Sequence, residues 1–286
     1  MNIVIRKLGE RPSFLISFYM EVMRMNIGII GAGSIGKFLL EKINREKAIS
    51  GYEITAVFDD RNKSKELLNK LSNKYNFTVH NELQTFLDSS VDLIVECANI
   101  EVVKQYARQI ILKKDLLLIS VGALVDSHFY NKLKETAELN NNKLYLPAGA
   151  IGGLDVLRSA NALSGLETVK LVTRKPAQAL SVGPINKEIT IFDGSAKDAI
   201  VNYPKNANIA IIISLSGIGI ERTRVKIIAD PKVTKNVHSL EANGDFGKLE
   251  LILENNPSPN NPKTSYLTAL SILSSLQSLD KTISFG

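Results

Sequence analysis

The hydrophobic positions of the first half of the chain fall into short runs that alternate with amphipathic stretches. Between residue 25 and residue 148, the short runs are typical of strands buried on both faces, and the amphipathic stretches are typical of helices. Strands are predicted at 26–30, 52–59, 77–80, 91–97, 115–120 and 143–148, and helices at 34–44, 62–74, 101–113 and 126–140. This strand–helix–strand order predicts right-handed crossovers and a doubly wound α/β fold with a parallel sheet.

After residue 148 the pattern changes to an alternation of apolar and polar positions. A helix is predicted at 152–163. After it, strands with alternating apolar and polar positions are predicted at 167–175, 188–194, 222–230, 236–243 and 248–255. Turn-forming residues between them favour a mostly antiparallel sheet with one covered face. The stretch 262–279 has helical spacing, and Pro262 suits the first turn of a helix.

These patterns divide the chain into four predicted parts. They are an N-terminal extension (1–24), a parallel α/β domain (25–148), an α+β domain with a mostly antiparallel sheet (149–261) and a C-terminal helix that packs back on the body (262–286). The extension superficially resembles a signal peptide but lacks a small-residue cleavage site. We interpret it as a loose extension or as the product of a start codon placed too early.

A glycine-rich turn joins the first predicted strand to the first predicted helix. Gly31, Gly33 and Gly36 have the spacing G-x-G-x-x-G. The first suits a tight turn, the second admits the close approach of a pyrophosphate, and the third lets the helix pack near the strand. The predicted helix begins at Ser34, followed by Ile35. The free N–H groups of this first turn and the helix dipole favour the binding of phosphates. The turn therefore predicts a Rossmann-type domain that binds a nicotinamide dinucleotide.

An acidic residue ends the second predicted strand. The carboxylate of Asp59 is predicted to accept hydrogen bonds from the ribose hydroxyls and to repel a 2′-phosphate, which favours NAD. Asp60 is the neighbouring alternative for this role. Arg61 follows directly and could accommodate the 2′-phosphate, so NADP stays open as an alternative cofactor.

The stretch ECAN (96–99) lies at the end of the fourth predicted strand, where an open α/β sheet reverses its strand order. Ligands bind at that point, so Cys97, Ala98 and Asn99 are candidates for lining the cofactor groove. Cys97 is the only cysteine, which excludes an intrachain disulfide framework and fits a reducing cytoplasm. No neighbour in the sequence marks it as an activated thiolate, so a structural role is expected.

Charge and hydropathy exclude several classes of function. The net charge is +6, but the basic residues do not cluster with aromatic ones. An anionic small molecule is therefore a better expectation than a nucleic acid. The longest apolar run, 208–220, is too short for a membrane span, which needs about 20 residues. The three histidines and one cysteine lack the spacing of metal ligands, so no metal site is predicted.

From residue 25 onwards, the sequence resembles the L-aspartate dehydrogenase family. The matching stretches are IGIIGAGSIG (27–36), SVGAL (120–124), LPAGAIGGLD (146–155), VTRKP (172–176), YPKNANIA (203–210), ADPKVTKNVHSLEANGDFG (229–247) and NPKTSYLTALS (261–271). The resemblance implies a Rossmann domain joined to an α+β domain that supplies substrate contacts and a homodimer interface. It implies NAD(P)-dependent oxidation of L-aspartate to iminoaspartate, which hydrolyses to oxaloacetate and ammonia or feeds NAD biosynthesis.

The resemblance also implies individual site residues. The family's catalytic histidine matches His238, and its cofactor-contacting asparagine matches Asn208, with Asn206 as an alternative. Its cofactor-contacting alanine matches Ala150. The stretch after VTRKP is shorter than in many members, and residues 1–24 have no expected counterpart.

His238 also carries a prediction from its own strand. Alternation puts it on the same face as Leu240 and Ala242, which should turn inward, and Asn243–Gly244 is predicted as a two-residue hairpin turn. A histidine on such a strand is more often structural when the pattern alone is considered. The resemblance favours a general acid/base, a task that imidazole can perform near neutral pH.

The two carboxylates of L-aspartate call for cations and hydrogen-bond donors. Candidates are Arg174 and Lys175, and Lys263 with Thr264 and Ser265 at the start of the predicted C-terminal helix. Each of these charges is equally consistent with a solvated surface position.

Two other functions stay open at this point. One is a related Rossmann reductase that acts on another amino-acid-derived substrate, although the PSGTA-like segment expected of a dihydrodipicolinate reductase is absent. The other is a regulator that binds NAD(P) without turnover. Oxidation of L-aspartate by the purified protein, followed by the absorbance of the reduced cofactor, would separate them.

Overall fold

The computed structural model describes residues 25–59, 65–180, 182–204, 208–259, 261–279 and 281–283, without the side chains of Pro262 and Lys263. The expectations for the N-terminal extension, for Asp60, Arg61 and Asn206, and for the Lys263 side chain lie outside this description.

The first sheet contains six strands. They are β1 (Met25–Ile30), β2 (Tyr52–Phe58), β3 (Thr78–His80), β4 (Leu93–Glu96), β5 (Asp115–Leu118) and β6 (Leu144–Tyr145). Their spatial order is β3-β2-β1-β4-β5-β6, and every pairing is parallel. This is the order of a dinucleotide-binding doubly wound sheet, in which the strand order reverses between β1 and β4. The predicted Rossmann-type sheet is confirmed.

Helices cover both faces of this sheet. They are α1 (Ser34–Leu39), which continues as a π-helical segment (Leu40–Arg45), α2 (Lys65–Tyr75), α3 (Leu83–Leu87), α4 (Ile100–Ile111) and α5 (Ser127–Leu139). Leu39 packs on one face with Ile27, and Ala107 packs on the other with Ile94. The sequence pattern does not predict α3, because a helix of five residues is too short to show a period.

The second sheet is mixed but mostly antiparallel. After α6 (Leu154–Ala160), its strands are β7 (Leu166–Pro176), β8 (Ile189–Ser195), β9 (Arg224–Asp230), β10 (Asn236–Gly244) and β11 (Gly247–Asn255). The spatial order is β11-β10-β7-β9-β8, in which the β7–β9 pair alone is parallel. The predicted α+β character of the second half is confirmed, whereas the boundaries of the domains stay predictions.

Two helices between β8 and β9 cover the second sheet. They are α7 (Ala196–Asn202) and α8 (Asn208–Ser216). The apolar run in the sequence forms α8, and residues 210–214 are buried. A helix that is apolar all round has no amphipathic period, so the run shows no helical signal in the sequence. None of the described helices is long and apolar enough to cross a membrane.

The turn between β10 and β11 differs from the prediction. Gly244 pairs with Gly247 in the ladder, so the connecting residues are Asp245–Phe246. The predicted turn at Asn243–Gly244 is therefore wrong. The glycine at position 244 serves a different purpose: a Cβ atom there would lie 2.1 Å from the carbonyl oxygen of Gly165.

The C-terminal helix, α9 (Tyr266–Ser278), begins later than predicted. The residues for which the sequence predicts its first turn form β13 (Asn261–Ser265), which pairs with β12 (Pro257–Ser258). Pro262 is therefore in a strand, so the predicted helix start is wrong. Ile272 and Leu276 of α9 pack into the core of the first sheet, so the helix returns to the N-terminal half of the molecule.

The close approach at Gly244 predicts a loss of stability on substitution. Gly244→Ala should lower the free energy of unfolding by about 1–3 kcal/mol, because the new methyl group would overlap backbone that cannot move aside cheaply. Gly183→Ala is the control, since a Cβ atom there would meet no described residue within 4 Å. Urea unfolding measures both. Equal stability of the two variants would contradict the packing role of Gly244.

Candidate functional site

A cavity of about 290 Å³ lies where the carboxyl ends of the first sheet meet the second sheet. Loops after β4 and β5 form one side, β7 and β10 form another, and α9 closes a third. The predicted site residues that line this cavity are Ile35, Cys97, Ala98, Ala150, Lys175, Asn208, Thr264, Ser265 and His238. Gly31, Gly33, Ser34 and Asp59 do not line it but lie at the same edge of the first sheet, where β1 and β2 end.

The glycine turn has the geometry that its spacing predicts. Gly31 has a φ of +86°, and a Cβ atom on it would lie 3.0 Å from the Cβ atom of Ala98. A Cβ atom on Gly36 would lie 2.6 Å from the carbonyl oxygen of Gly31, so α1 packs closely on the turn. At Gly33 the nearest atom would be 3.9 Å away, which leaves the backbone open. The N-cap residue of α1 is Gly33, which has no side chain to cap the helix, so the first N–H groups can receive an anion.

Asp59 is buried and directly follows β2. Its neighbour Phe58 accepts a hydrogen bond of 3.0 Å from the backbone N–H of Gly31. The acid is therefore held beside the glycine turn, at the position where a dinucleotide-binding sheet holds a ribose.

Glu96 is a residue of the site that the sequence prediction missed. It ends β4 and is only 1% exposed. It accepts hydrogen bonds from the N–H groups of Ala98 (2.7 Å), Ser120 (2.8 Å) and Ile119 (3.2 Å), and from the Ser120 hydroxyl (2.9 Å). Burial raises the pKa of this carboxyl, against the lowering effect of these hydrogen bonds. The sequence signal that could have identified Glu96 is its place as the one charged residue at the end of an apolar strand.

Cys97 contributes a half-buried side chain to the cavity. Burial, together with the neighbouring charge of Glu96, raises the pKa of its thiol well above the ordinary value. The thiol therefore stays protonated at neutral pH, which fits the structural role expected for this cysteine.

His238 lies in the wall of the cavity and is 3% exposed. Leu240 and Ala242 are buried on the same face of β10, as the alternation predicts. The ring Nδ1 is 3.1 Å from the hydroxyl of Thr173, which lies directly opposite on β7. Burial, assisted by the charge of Lys175, lowers the pKa of His238 to about 4. The ring is therefore neutral at neutral pH.

The two basic candidates on β7 point in different directions. Lys175 lines the cavity, and burial lowers the pKa of its ammonium group. Arg174 forms ion pairs with Glu188 and, at 3.0 Å, with Asp230. Arg174 does not line the cavity with Lys175, because successive residues of a strand point to opposite faces.

Polar side chains from β10 and α9 complete the cavity, and three of them were missed in the sequence. Asn236 donates to the Ser265 hydroxyl at 3.4 Å, and Ser271 accepts from the backbone N–H of Gly149 at 3.0 Å; Thr268 also lines the cavity. Asn236 precedes His238 by two positions, so the alternation of side chains along a strand puts both on the same face. This alternation could have identified Asn236 from the sequence. Thr264 and Ser265 both lie in β13 rather than in the predicted helix, and Ser265 is at the N-cap position of α9.

Comparisons with known proteins give the same relationship along almost the whole chain. The family model for the C-terminal region of aspartate dehydrogenase matches residues 155–279, and that for the NAD-binding domain of homoserine dehydrogenase matches residues 31–147. L-aspartate dehydrogenase of Methanosarcina barkeri is 38% identical over 92% of this chain and 99% of its own length. The Pseudomonas aeruginosa enzyme is 36% identical over 88% and 96%.

A solved structure agrees with these matches. The crystal structure of aspartate dehydrogenase from Thermotoga maritima superposes with a TM-score of 0.76 at 31% identity, covering 92% of this chain and all of that one. The matches to the two family models, the sequence identity to the relatives and the share of each chain covered lead to one conclusion. This chain, with its NAD-binding domain and second α+β half, belongs to the L-aspartate dehydrogenase family.

Proposed function

We propose that the protein oxidises L-aspartate to iminoaspartate with NAD as cofactor and His238 as general acid/base. The observation that carries this proposal is the neutral, buried imidazole in the wall of the cavity at which the carboxyl ends of the cofactor-type sheet open. Family membership supports the substrate. It also weighs against the two alternatives, a reductase of another amino-acid-derived substrate and a regulator without turnover.

The residues around the glycine turn fit a nicotinamide dinucleotide. Gly31 and Gly33 would face the pyrophosphate, with Ser34 and Ile35 at the start of α1, and Asp59 would bind the ribose. The nicotinamide half would lie in the cavity, along Cys97, Ala98, Ala150 and Asn208. When bound, this cofactor supplies the two-electron oxidation of a C–H bond. NAD is preferred in this proposal because Asp59 repels a 2′-phosphate, with NADP as a second cofactor.

His238 would move the proton that accompanies oxidation of the amine. Its neutral ring accepts a proton from the substrate nitrogen as the C=N bond forms, and it then assists the attack of water on the imine. Lys175 would bind a substrate carboxylate, with the hydroxyls of Thr264 and Ser265 as further donors. A bound dianion would also raise the pKa of His238, bringing it nearer to neutral pH.

Three further parts of the proposal concern the setting of the reaction. We propose a homodimer formed through the second half of the chain, a cytoplasmic location, and a supply of iminoaspartate to NAD biosynthesis. Ile252, which is 69% exposed on the edge strand β11, supports an interface on that sheet. The other two parts rest on the family and on the single cysteine.

Asp59 should set the cofactor preference. Asp59→Ala should weaken NAD binding about 10- to 100-fold, since the ribose loses a charged acceptor. It should also narrow the difference between NAD and NADP, because the repulsive charge disappears. Isothermal titration calorimetry with both cofactors measures this, with Asp193→Ala, in the second sheet, as the control. Unchanged affinities for both cofactors would pass the ribose role to Asp60.

His238 should control turnover without controlling cofactor binding. His238→Asn should lower kcat by about 10²–10⁴-fold, the usual contribution of a general acid/base, while the Kd for NAD stays near that of the unmodified protein. His80→Asn is the control, because that histidine lies at the end of β3 and away from the cavity. A folded His238→Asn protein that retains turnover would contradict the assignment.

The lowered pKa of His238 predicts an acid-sensitive fold. The unfolded chain binds a proton near pH 6.5, whereas the folded protein binds it only near pH 4. Stability is therefore lost as the pH falls from about 6.5 towards 4, by an amount on the order of 3 kcal/mol. Urea unfolding across this range should show a shallower decline for His238→Asn. Parallel declines for the two proteins would show that the ring titrates alike in both states.

A further inference from the structure

We propose that Thr173 is the positioning residue for His238: its hydroxyl holds the ring Nδ1 so that Nε2 faces the cavity. This inference rests on the proposed role of His238 as the acid/base. Thr173 is only 1% exposed, and it is absent from the cavity wall to which the histidine belongs. The hydroxyl therefore contacts the ring from behind, and the opposite side of the ring is left for the substrate.

The backbone fixes this contact. Thr173 and His238 are direct cross-strand partners in the antiparallel pairing of β7 with β10, so their side chains start from adjacent points on the same face of the sheet. The hydroxyl oxygen lies 3.1 Å from Nδ1, and both side chains are almost fully buried. A β-branched side chain in a strand has a restricted χ1 angle, so the hydroxyl has few other positions available.

A hydroxyl suits a ring that must change its protonation state. It donates to Nδ1 when that nitrogen is unprotonated and accepts from it when it carries a proton. The contact can therefore persist when the ring takes up a proton and when it gives one away. Within the part of the chain that the structure describes, no carboxylate pairs with this ring, and the charged group that faces it is Lys175. Thr173 thus orients the imidazole without adding a negative charge that would hold it protonated.

The test compares substitutions that separate the hydroxyl from the methyl group. Thr173→Val keeps the shape and removes the hydroxyl, and it should lower kcat about 10- to 100-fold while the Kd for NAD is unchanged. Thr173→Ser keeps the hydroxyl and should recover most of the loss. Thr136→Val, at a buried threonine of α5 that bonds a backbone carbonyl, is the matched control and should keep kcat.

The outcomes distinguish this inference from the proposed function. Full turnover by His238→Asn would overturn the proposed function and this inference with it. Loss of turnover in His238→Asn, together with unchanged kcat in Thr173→Val, would overturn the positioning role alone. Equal losses in Thr173→Val and Thr173→Ser would also overturn it, because a side chain that keeps the hydroxyl would then fail to keep turnover.

Two further measurements keep the test decisive. If Thr173→Val does not fold, Thr173→Ala replaces it, and a loss in Thr173→Ala that Thr173→Ser does not share supports the role of the hydroxyl. In a His238→Asn background, Thr173→Val should lower the residual kcat no further, because residues that act as a unit are non-additive. A further loss of the same size in that background would show that Thr173 acts independently of the ring.

Discussion

The cofactor side of the cavity depends on the hydrogen bonds that the buried carboxylate of Glu96 accepts. This carboxylate bonds the backbone of Ala98 at the end of β4 and the backbone of Ser120 beyond β5, and both residues line the cavity. A buried carboxylate is costly unless its oxygens are hydrogen-bonded, so the low-energy arrangement keeps both loops in place. These hydrogen bonds therefore hold together the two loops that border the groove at which the strand order reverses. The contact of Gly31 with Ala98 ties the glycine turn to the same assembly.

The opposite side of the cavity depends on the pairing of β7 with β10. That register puts Thr173 behind His238, and the strand period then puts Lys175 into the cavity and Arg174 on the other face. Because α9 returns from the second half to pack Ile272 on the first sheet, the cavity also gains polar groups from the end of the chain. Three segments that are distant in sequence thus meet at one place.

The electrostatics of this cavity suit an anionic ligand. Burial lowers the pKa of both His238 and Lys175, so an added positive charge is unfavourable at either group. A dicarboxylate that enters the cavity reverses this effect, since negative charge raises both pKa values. In the proposed mechanism the substrate itself therefore moves the imidazole towards the pKa that proton transfer near neutral pH requires.

The sequence by itself determined what depends on local periodicity and on backbone freedom: the two sheets, the tight turn at Gly31 and the inward face of His238. The sequence-based prediction of the β10–β11 turn was wrong, because Asn243–Gly244 matches a hairpin signal. In the structure, a glycine is required at position 244 because its backbone packs closely against Gly165. Only the tertiary structure decided the contacts of Glu96 with Ser120 and of Thr173 with the histidine, whose partners lie 24 and 65 residues apart. Such hydrogen bonds depend on which strands become neighbours, and no local pattern encodes that choice.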